Sequence, residues 1–338
     1  MKEGICFDDV LLEPLYSDIR SRSEVSLEST FRIAGTKEKL SLPIFSAPMD
    51  KVTEAEMASA LSKAGAMGIV HRYNSIEEQS KIVLDASKDG FVGAAVGVTD
   101  DFMERTHSLV ENGVSMICLD VAHGHHVMVK EALTKIKSSF SNLHVMAGNI
   151  ATLEAFNDLA DWGADSIRCG IGGGSICTTR IQTGHGKPTL QTVIDCSKSD
   201  RDALLVADGG IKTSGDIVKC LAAGADMVML GSMLAGTDES PGEIINENGR
   251  KCKVYRGMAS KEAQFDWRGR TASLEGVASV IPYKGSVIDV VRDLEKGIRS
   301  GLSYSGCRSL SEFRNASVMT KQTTAGQFES SAHIGAVK

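Results

Sequence analysis

One cysteine stands in a glycine-rich stretch, and its surroundings indicate chemistry at sulfur. Residues 170–188 read GIGGGSICTTRIQTGHGKP, which places Cys177 after a run of glycines and before two threonines and an arginine. Glycines leave backbone amides and carbonyls exposed, so such a loop can close tightly around a ring or an ion. A thiol there has an open approach to an electrophile. A phosphate-binding loop with an incidental cysteine is the other interpretation.

Two further glycine-containing segments predict a site for a phosphorylated substrate. ADGG at 207–210 and LGS at 230–232 follow the last two of eight apolar runs along the chain. In a barrel of alternating strands and helices, backbone amides after strands seven and eight commonly bind a phosphate. A carboxylate beside such amides suits a ribose diol, so we expect Asp208 to act by hydrogen bonding and not as an acid.

The remaining polar motifs leave more than one interpretation open. The loop histidines lack cysteine or carboxylate partners at metal-site spacing, so metal catalysis is not favoured; they are His71, His123, His125, His126 and His185. The segment DWRGR at 266–270 joins an aromatic ring to positive charge, and we expect Trp267 to pack within a lid and not to stack on a base. Glu275 is either a solvated charge or an acid facing a pocket.

The elements that must position these residues are strands alternating with helices. Four motifs repeat a helix end, a glycine turn and an apolar run: AGAMGIVH, NGVSMICLD, WGADSIRCG and AGADMVMLG. Four more apolar runs complete the set: LPIFSAP, VGAAVG, LHVMAGN and ALLVADGG. Continuous apolar strands between helices predict a parallel sheet covered on its outer face, and eight units predict an α/β fold of the TIM (β/α)8 barrel type.

Polar residues and glycines end these runs, where the chemistry of such barrels gathers. They are Met49, Asp50, His71, Asp120, His123, Asn149, Gly170, Asp208, Gly210, Gly231 and Ser232. Any one of them could merely end a loop, but their joint occurrence predicts a site on one rim.

Two connections are longer than ordinary barrel loops and are predicted to act as lids or binding segments. One carries Cys177 after the sixth strand, and the other, residues 231–288, is a flap-containing insertion after the eighth. No repeat or linker marks a second domain, so we expect residues 1–338 to form one catalytic barrel domain. The polar tail, residues 320–338, is expected to be mobile unless a neighbouring subunit or an ion orders it.

Composition argues against several partners. The formal net charge is −6 with a pI near 5.8, so no basic stripe for nucleic acid is expected. No apolar run approaches membrane-spanning length and the first residues lack a signal-peptide pattern, so we expect a cytoplasmic protein without membrane contact. The 8 cysteines include no CxxC pair, which favours reduced thiols.

Taken together, the motifs resemble the family of inosine monophosphate dehydrogenase and guanosine monophosphate reductase. In chain order they are FDDVLLEP, SAPMDKVTEAEMA, DVAHGH, AGN, GIGGGSICTTR, ADGGI, YRGMAS and IPYKG. The resemblance covers nearly the whole chain, and the cysteine motif is specific in this setting.

The resemblance implies a barrel in which the Cys177 thiol bonds covalently to C2 of a purine nucleotide, with Thr179 and Glu275 assisting. The positions that match nucleotide-binding residues are Met49, Arg168, Ser175, Asp208, Gly210, Gly231, Ser232, Tyr255, Gly257 and Met258. The positions that match the nicotinamide side are Asp120, Asn149, Gly170 and Thr179.

A monovalent-cation site for K⁺ and a homotetramer are also implied by the resemblance. The cation would be held by carbonyls of Gly172, Gly174 and Cys177. A neighbouring subunit would complete the site with its own Glu329, Ser330 and Ser331.

Two opposite reactions fit the resemblance. A dehydrogenase oxidises IMP with NAD and hydrolyses the adduct with an Arg–Tyr pair on a mobile flap. A reductase expels ammonia from GMP and accepts a hydride from NADPH, which requires an acid near the leaving amine. Residues 261–273 are short and contain Arg268 and Arg270 without an Arg–Tyr pair, which favours GMP reductase.

Other features of the sequence bear on the same choice. The absence of a paired CBS regulatory module after the second barrel helix weakly supports the reductase, whereas QFESSAH in the tail resembles the dehydrogenase. IMP dehydrogenase is the alternative, and a purine-nucleotide sensor without turnover is the second alternative.

Overall fold

Strands and helices alternate along most of the chain, as the apolar runs predict. The computed structural model describes residues 2–272 and 274–330. The strands are β1 (Val10–Leu12), β2 (Ser29–Ile33), β3 (Thr36–Leu40), β4 (Ile44–Ser46), β5 (Met67–Val70), β6 (Val92–Val96), β7 (Met116–Asp120), β8 (His144–Ile150), β9 (Ser166–Cys169), β10 (Leu204–Asp208), β11 (Met227–Leu230), β12 (Ile245–Glu247), β13 (Arg250–Arg256), β14 (Ala278–Pro282) and β15 (Met319–Lys321).

The α-helices follow the same order along the chain. They are α1 (Ala55–Lys63), α2 (Ile76–Ser87), α3 (Phe102–Glu111), α4 (Val127–Ser139), α5 (Leu153–Asp161), α6 (Thr179–Thr183), α7 (Thr189–Cys196), α8 (Ser214–Ala222), α9 (Lys261–Arg268), α10 (Val287–Tyr304), α11 (Leu310–Ala316) and α12 (Thr324–Glu329). Within the described ranges, no helix is long and apolar enough to span a bilayer.

Strands β4 to β11 close into a parallel barrel. They pair in chain order, and β11 returns to pair with β4 through Met229 and Phe45. Each of the eight predicted apolar runs contains one of these strands, so the TIM barrel prediction is confirmed. The four glycine turns lie where predicted, between α1 and β5, α3 and β7, α5 and β9, and α8 and β11.

Two apolar layers hold the barrel together. Alternate side chains of the strands fill the interior, where methionine is unusually common; they include Phe45, Met67, Met116, Met146, Met227 and Met229. The other face of each strand packs on the surrounding helices, for example Ile167 against the helix layer. Because both faces are buried, the strands carry continuous apolar runs and not an alternating pattern.

The hairpin of β2 and β3 covers the amino-terminal end of the barrel. Phe31 inserts there and meets Phe91 edge to face at 5.6 Å between ring centroids. His144, at the start of β8, donates from Nδ1 to the Arg32 carbonyl oxygen at 2.7 Å and accepts at Nε2 from the Ser166 hydroxyl at 2.9 Å. The imidazole therefore joins the hairpin to the barrel in its neutral form.

The two long connections lie at the opposite, carboxyl-terminal end. One runs from β9 to α7 and includes α6; we call residues 170–188 the thiol loop. The other runs from β11 to α10 and contains the antiparallel sheet of β12, β13 and β14. We call residues 257–272 and 274–277 the flap, which carries α9.

Part of the tail predicted to be mobile is built into regular structure. Strand β15 pairs antiparallel with β1, from Met319 opposite Leu12 to Lys321 opposite Val10. Helix α12 follows and contacts the short 3₁₀ helix at Phe7–Asp9. This antiparallel pairing joins the two ends of the chain, and residues 331–338 lie outside the described residues.

The buried imidazole at the closed end of the barrel predicts a pH dependence of stability. Burial lowers the pKa of His144; Asp165 and the Arg32 carbonyl oppose that shift, and Lys137 adds to it. In the unfolded chain a histidine titrates near pH 6.5. As the pH falls below that value only the unfolded state gains the proton, so the free energy of unfolding should fall by up to about 1.4 kcal/mol per pH unit.

Urea unfolding between pH 8 and pH 5 measures this dependence. We expect His144→Gln to flatten the slope, while His107→Gln, on the exposed face of α3, should leave it as in the wild type. Parallel profiles for wild type and His144→Gln would contradict the assignment.

Candidate active site

A cleft of about 340 Å³ opens at the carboxyl ends of the barrel strands. The thiol loop and the flap form its walls, and the strand ends of the barrel form its floor. The predicted site residues that line it are Met49, Asp120, Asn149, Arg168, Gly170, Gly172, Gly174, Cys177, Thr179, Asp208, Tyr255, Gly257, Met258 and Glu275. The tertiary structure thus gathers most of the predicted residues at one rim, as expected for this fold.

Cys177, Thr179 and Glu275 form a hydrogen-bonded relay. The Cys177 thiol donates to the Thr179 hydroxyl over 3.2 Å, and that hydroxyl donates to Glu275 Oε2 over 2.7 Å. All three side chains are partly exposed to the cleft. A proton can therefore pass between the sulfur and a carboxylate that lies 96 residues beyond Thr179 along the chain.

Backbone pairing fixes the flap against the thiol loop. The Thr178 amide donates to the Glu275 carbonyl oxygen at 2.9 Å, and the Val277 amide donates to the Ile176 carbonyl oxygen at 3.1 Å. Between them Cys177 and Gly276 form an antiparallel bridge. Because the backbone itself carries these contacts, Glu275 is positioned as if on a short strand. The structure thus answers the question left open by the sequence, since Glu275 faces the cleft.

The thiol loop can lie this close to the barrel only because its first residue is glycine. At Gly170, φ is +150°, and a β-carbon there would lie 1.9 Å from the Asp208 carbonyl oxygen. The Gly170 carbonyl oxygen accepts a hydrogen bond from the Asn149 side-chain amide at 2.9 Å. Any side chain at this position would therefore push the loop away from β10.

Arg168 is a buried cation held between two carboxylates on the floor of the cleft. Its Nη1 donates to Asp120 Oδ1 at 2.6 Å, and its Nε and Nη2 donate to Asp208 Oδ2 at 3.2 and 2.9 Å. Asn149 donates to the same Asp208 oxygen at 2.7 Å. Every described hydrogen bond to the Asp208 side chain uses Oδ2, so Oδ1 is available to a ligand.

Electrostatics keep this group charged. Burial by itself would lower the pKa of Arg168, but the carboxylates of Asp208 and Asp120 outweigh burial and hold it well above its usual value. Burial raises the pKa of the Cys118 thiol to about 11, so that neighbour stays protonated. Most N–H groups of Arg168 are used by protein atoms. Arg168 is therefore suited to hold Asp120 and Asp208 in position beneath a ligand and not to bind the ligand itself.

The phosphate-binding residues predicted from the sequence lie around one phenol. A β-carbon on Gly231 would lie 3.1 Å from the Tyr255 hydroxyl oxygen, and Ser175 hydrogen-bonds to that hydroxyl. Burial raises the pKa of Tyr255 to about 12, the Ser175 hydrogen bond opposes the shift and Asp208 adds to it. The phenol therefore stays protonated and can donate to an anion.

Four of the predicted nucleotide-binding residues do not line the cleft itself. They are Ser175, Gly210, Gly231 and Ser232. Gly210 lies against the Gly173 carbonyl oxygen, where a β-carbon would approach to 3.1 Å. Ser175 and Gly231 meet at Tyr255, as described above. Gly210 follows β10, and Gly231 and Ser232 follow β11.

Two polar side chains that line the cleft were not predicted from the sequence. They are Arg72 and Tyr73, which follow His71 after the end of β5. The sequence signal that could have identified them is their place at the carboxyl end of a barrel strand. The Arg72 Nη2 donates to the Asp120 carbonyl oxygen at 3.2 Å, and its Nε is buried without a hydrogen-bond partner among the described residues.

A second opening of about 450 Å³ adjoins the cleft, and we call it the cationic pocket. It is lined by Arg72, Gly97, Thr99, Asp100, Asp101, Arg105, Trp267, Arg268 and Arg270. Arg105 is neutralised by Asp101, with Nη2 and Oδ2 2.7 Å apart. No salt bridge is formed by Arg268 or Arg270 with any residue in 2–272 or 274–330. The pocket is therefore suited to an anion.

The predicted cation site is a set of backbone carbonyls on the thiol loop. The Gly174 carbonyl oxygen accepts from the Cys177 amide at 3.1 Å, and no described amide donates to the carbonyl oxygens of Gly172 or Cys177. Carbonyl oxygens suit K⁺, whose hydration shell they can replace. In this chain Glu329 and Ser330 end α12 near the amino terminus, and Ser331 lies outside the described residues.

Comparison with protein families defines the class of this protein. The family model described as IMP dehydrogenase / GMP reductase domain matches residues 4–333. The chain therefore belongs to the IMP dehydrogenase / GMP reductase family, whose members are oxidoreductases of purine nucleotide metabolism that use a nicotinamide nucleotide.

Relatives carrying both enzyme names are similar to this chain. It is 37% identical to the GMP reductase of Shigella boydii serotype 18 over 328 residues, which covers 94% of this chain and 93% of the relative. It is 34% identical to the inosine-5'-monophosphate dehydrogenase of Nitrosopumilus maritimus over 471 aligned positions, which covers 98% of each. That alignment is longer than the 338 residues of this chain, so the dehydrogenase contains segments that this chain lacks.

A solved structure shares the whole fold. The crystal structure of a GMP reductase from Trypanosoma brucei in complex with guanosine 5'-monophosphate superposes with a TM-score of 0.92 at 30% identity, covering 98% of each chain.

Because Arg168 is a buried cation, we expect its removal to have a large effect on stability and on nucleotide binding. Arg168→Gln leaves the partly buried Asp208 without its salt-bridge partner and leaves Asp120 with only the longer contact to Arg72, and breaking a buried pair typically costs about 3–5 kcal/mol. We expect a matching fall in the free energy of unfolding, measured in urea, and loss of nucleotide binding, measured by calorimetry. Arg168→Lys should restore only part of both, because an ammonium cannot bond two carboxylates in the same plane.

A matched control is Arg201→Gln, since Arg201 is bonded to the two exposed carboxylates of Asp161 and Asp200. It should be nearly neutral because exposed pairs contribute little. Equal effects of the two glutamine variants would contradict the role given to Arg168.

Proposed function

We propose that this protein is a GMP reductase, which converts GMP to IMP and ammonia with NADPH. The observation that carries the proposal is the relay from the Cys177 thiol through Thr179 to Glu275. A reaction that expels an amine needs a proton donor beside the nucleophile, and the relay supplies both within hydrogen-bonding distance.

The first step forms a covalent adduct. Cys177 Sγ bonds to C2 of the guanine ring, and the bond between C2 and its amino nitrogen breaks. The thiol proton passes to Thr179 as that hydroxyl passes its own proton to Glu275. Glu275 then delivers the proton to the departing nitrogen, which leaves as ammonia. The products are a thioimidate on Cys177 and neutral ammonia, so atoms and charge balance.

The second step releases the product and restores the thiol. NADPH, when bound, supplies the hydride that converts C2 to the C–H of IMP. Glu275 takes up a proton from solvent once the ammonia has left. As the bond from C2 to sulfur breaks, that proton passes through Thr179 to Sγ along the same two hydrogen bonds. Neither step requires a base that activates water.

The floor of the cleft supports a nucleoside monophosphate. Asp208 Oδ1 is available for a ribose diol, and Tyr255 with Ser175 can donate to a phosphate. Arg168 holds Asp208 in place from below, and the Asn149 amide orients the same carboxylate. The cleft therefore offers a carboxylate for the sugar and hydroxyl donors for an anion.

IMP dehydrogenase is the alternative, and its support is the many relatives of that name. The flap argues against it. Residues 261–273 include no Arg–Tyr pair, and the acid beside the thiol is part of a proton relay. A nucleotide sensor without turnover is disfavoured because Cys177, Thr179 and Glu275 are assembled for catalysis.

The cationic pocket supports NADPH over NADH. Arg72, Arg268 and Arg270 converge there, and the extra phosphate of NADPH is a dianion that guanidinium groups bind well. The pocket adjoins the cleft through Arg72, which lines both openings. A dinucleotide could therefore place its nicotinamide in the cleft and its far phosphate in the cationic pocket.

A K⁺ ion on the thiol loop and a homotetramer complete the proposal. The carbonyls of Gly172, Gly174 and Cys177 would hold the ion and stiffen the loop that carries the nucleophile. Such an ion acts on loop geometry and takes no part in proton transfer.

Paired turnover assays test the direction of the reaction. We expect GMP with NADPH to produce ammonia and oxidised cofactor in equal amounts, with NADH at least about tenfold less efficient because one charge-assisted contact is lost. IMP with NAD should show no sustained turnover. Sustained turnover only with IMP and NAD would establish the dehydrogenase instead.

Variants of the relay test the mechanism. Cys177→Ala should abolish the nucleotide adduct seen by intact mass spectrometry while GMP still binds. Glu275→Gln should slow ammonia release by about 10²–10⁴-fold, the range of general acid catalysis, and affect hydride exchange between IMP and the cofactor less. Cys6→Ala and Glu262→Gln change exposed residues away from the relay and should behave as wild type. Equal loss of both reactions in Glu275→Gln would remove its role as the acid.

A further inference from the structure

The flap helix is fastened to the barrel by a stacked aromatic pair. Trp267, near the end of α9, stacks on Tyr73 from the loop after β5, with ring centroids 4.0 Å apart and planes inclined by 18°. The Tyr73 hydroxyl donates to the Met258 carbonyl oxygen at 2.7 Å. Trp267 therefore packs on a protein ring, as expected, and this contact ties the flap to a loop almost two hundred residues earlier in the chain.

Two arginines flank the same indole. The Arg268 guanidinium carbon lies 4.0 Å from the Trp267 ring centroid, and that of Arg72 lies 5.5 Å away. Like charges this close repel each other, whereas the face of an indole attracts cations. The ring therefore sets the positions of two of the three arginines proposed to receive the cofactor phosphate.

The acid of the relay is held by separate contacts. The Gln264 side chain donates to the Ala259 carbonyl oxygen at 3.1 Å and accepts from the Ala272 amide at 2.7 Å. Together with the backbone pairing of residues 275–277 on the thiol loop, these contacts position Glu275 without using Trp267. The flap thus has an inner attachment at the thiol and an outer attachment at the aromatic pair.

The pair also stands at the boundary between the two openings. Tyr73 lines the cleft and Trp267 lines the cationic pocket. Arg256 holds the last turn of α9, with Nη1 2.6 Å from Asp266 and Nη2 2.5 Å from Asp50. Loss of the indole would therefore change the cationic pocket and leave the thiol, its relay and the floor of the cleft in place.

We propose that Trp267 and Tyr73 are positioning residues that hold the cationic pocket in register with the cleft, so that they govern cofactor affinity and not the chemistry at Cys177. This inference rests on the proposed function only in that a dinucleotide spans the two openings. It holds for either direction of the reaction.

The test separates binding from chemistry in Trp267→Leu. We expect KM for NADPH to rise about tenfold, near the upper limit for one aromatic stack with a cation–π contact. The rate of adduct formation between GMP and Cys177, followed by mass spectrometry, and kcat at saturating cofactor should stay within about twofold of wild type. Trp267→Phe should restore most of the affinity because a stacking ring is present again.

A matched control and a spectroscopic readout come from the second tryptophan. Trp162 stacks on His125 at 5.8 Å and lies outside both openings, so Trp162→Leu should leave KM for NADPH unchanged. The chain has 2 tryptophans, so Trp162→Phe leaves Trp267 as the sole indole reporter. In that background, titration with NADP⁺ should shift the indole emission, and this binding assay needs no turnover.

The outcomes distinguish the inference from the proposed function. A wild type that oxidises IMP with NAD would overturn the reductase, and the same separation of KM from adduct formation would then be measured with NAD. A folded Trp267→Leu with unchanged cofactor KM, or with adduct formation slowed as much as KM rises, would overturn the inference. If that variant does not fold, Tyr73→Leu removes the same stack from the other side. Failure of both to fold would also overturn it, because a positioning role leaves the fold intact.

Discussion

The site depends on one buried guanidinium between two carboxylates. Arg168 is 6% exposed and bonds Asp120 on one side and Asp208 on the other, and Asn149 completes the set. A buried charge is tolerated only where it is paired and hydrogen-bonded. The cation therefore obliges the ends of β7, β9 and β10 to keep a fixed spacing. That spacing defines the floor on which a nucleotide and a nicotinamide ring would meet.

The thiol, the hydroxyl and the carboxylate lie above this floor on the thiol loop and the flap. The thiol loop and the flap are long connections, which usually carry function at a cost in order. Here each supports the other, because residues 275–277 pair with residues 176–178 through backbone hydrogen bonds. The Thr179 hydroxyl is consequently held 3.2 Å from the Cys177 sulfur and 2.7 Å from the Glu275 carboxylate.

The cleft and the cationic pocket are suited to different roles, the first to bond chemistry and the second to cofactor recognition. The groups proposed to form or break bonds lie in the cleft, whose floor is held by Arg168, and the proposed acid is held by the inner part of the flap. Arg268 and Arg270, which form no salt bridge with a described residue, lie in the cationic pocket and belong to the outer part of the flap. Such a separation lets cofactor preference change through surface residues of α9 while the covalent chemistry is retained. It also fits a family in which one barrel serves opposite reactions.

The sequence by itself determined the barrel, because strands buried on both faces must be continuously apolar and the helices between them must be amphipathic. It also determined the rim, since residues that end parallel strands meet at one edge, and it singled out Cys177 by its neighbours. Only the tertiary structure decided that Glu275 serves the thiol, that Arg168 is a brace beneath the ligand, and that Tyr73 meets Trp267. These contacts join residues 40 to almost 200 positions apart, and local sequence patterns carry no information about partners at such separations.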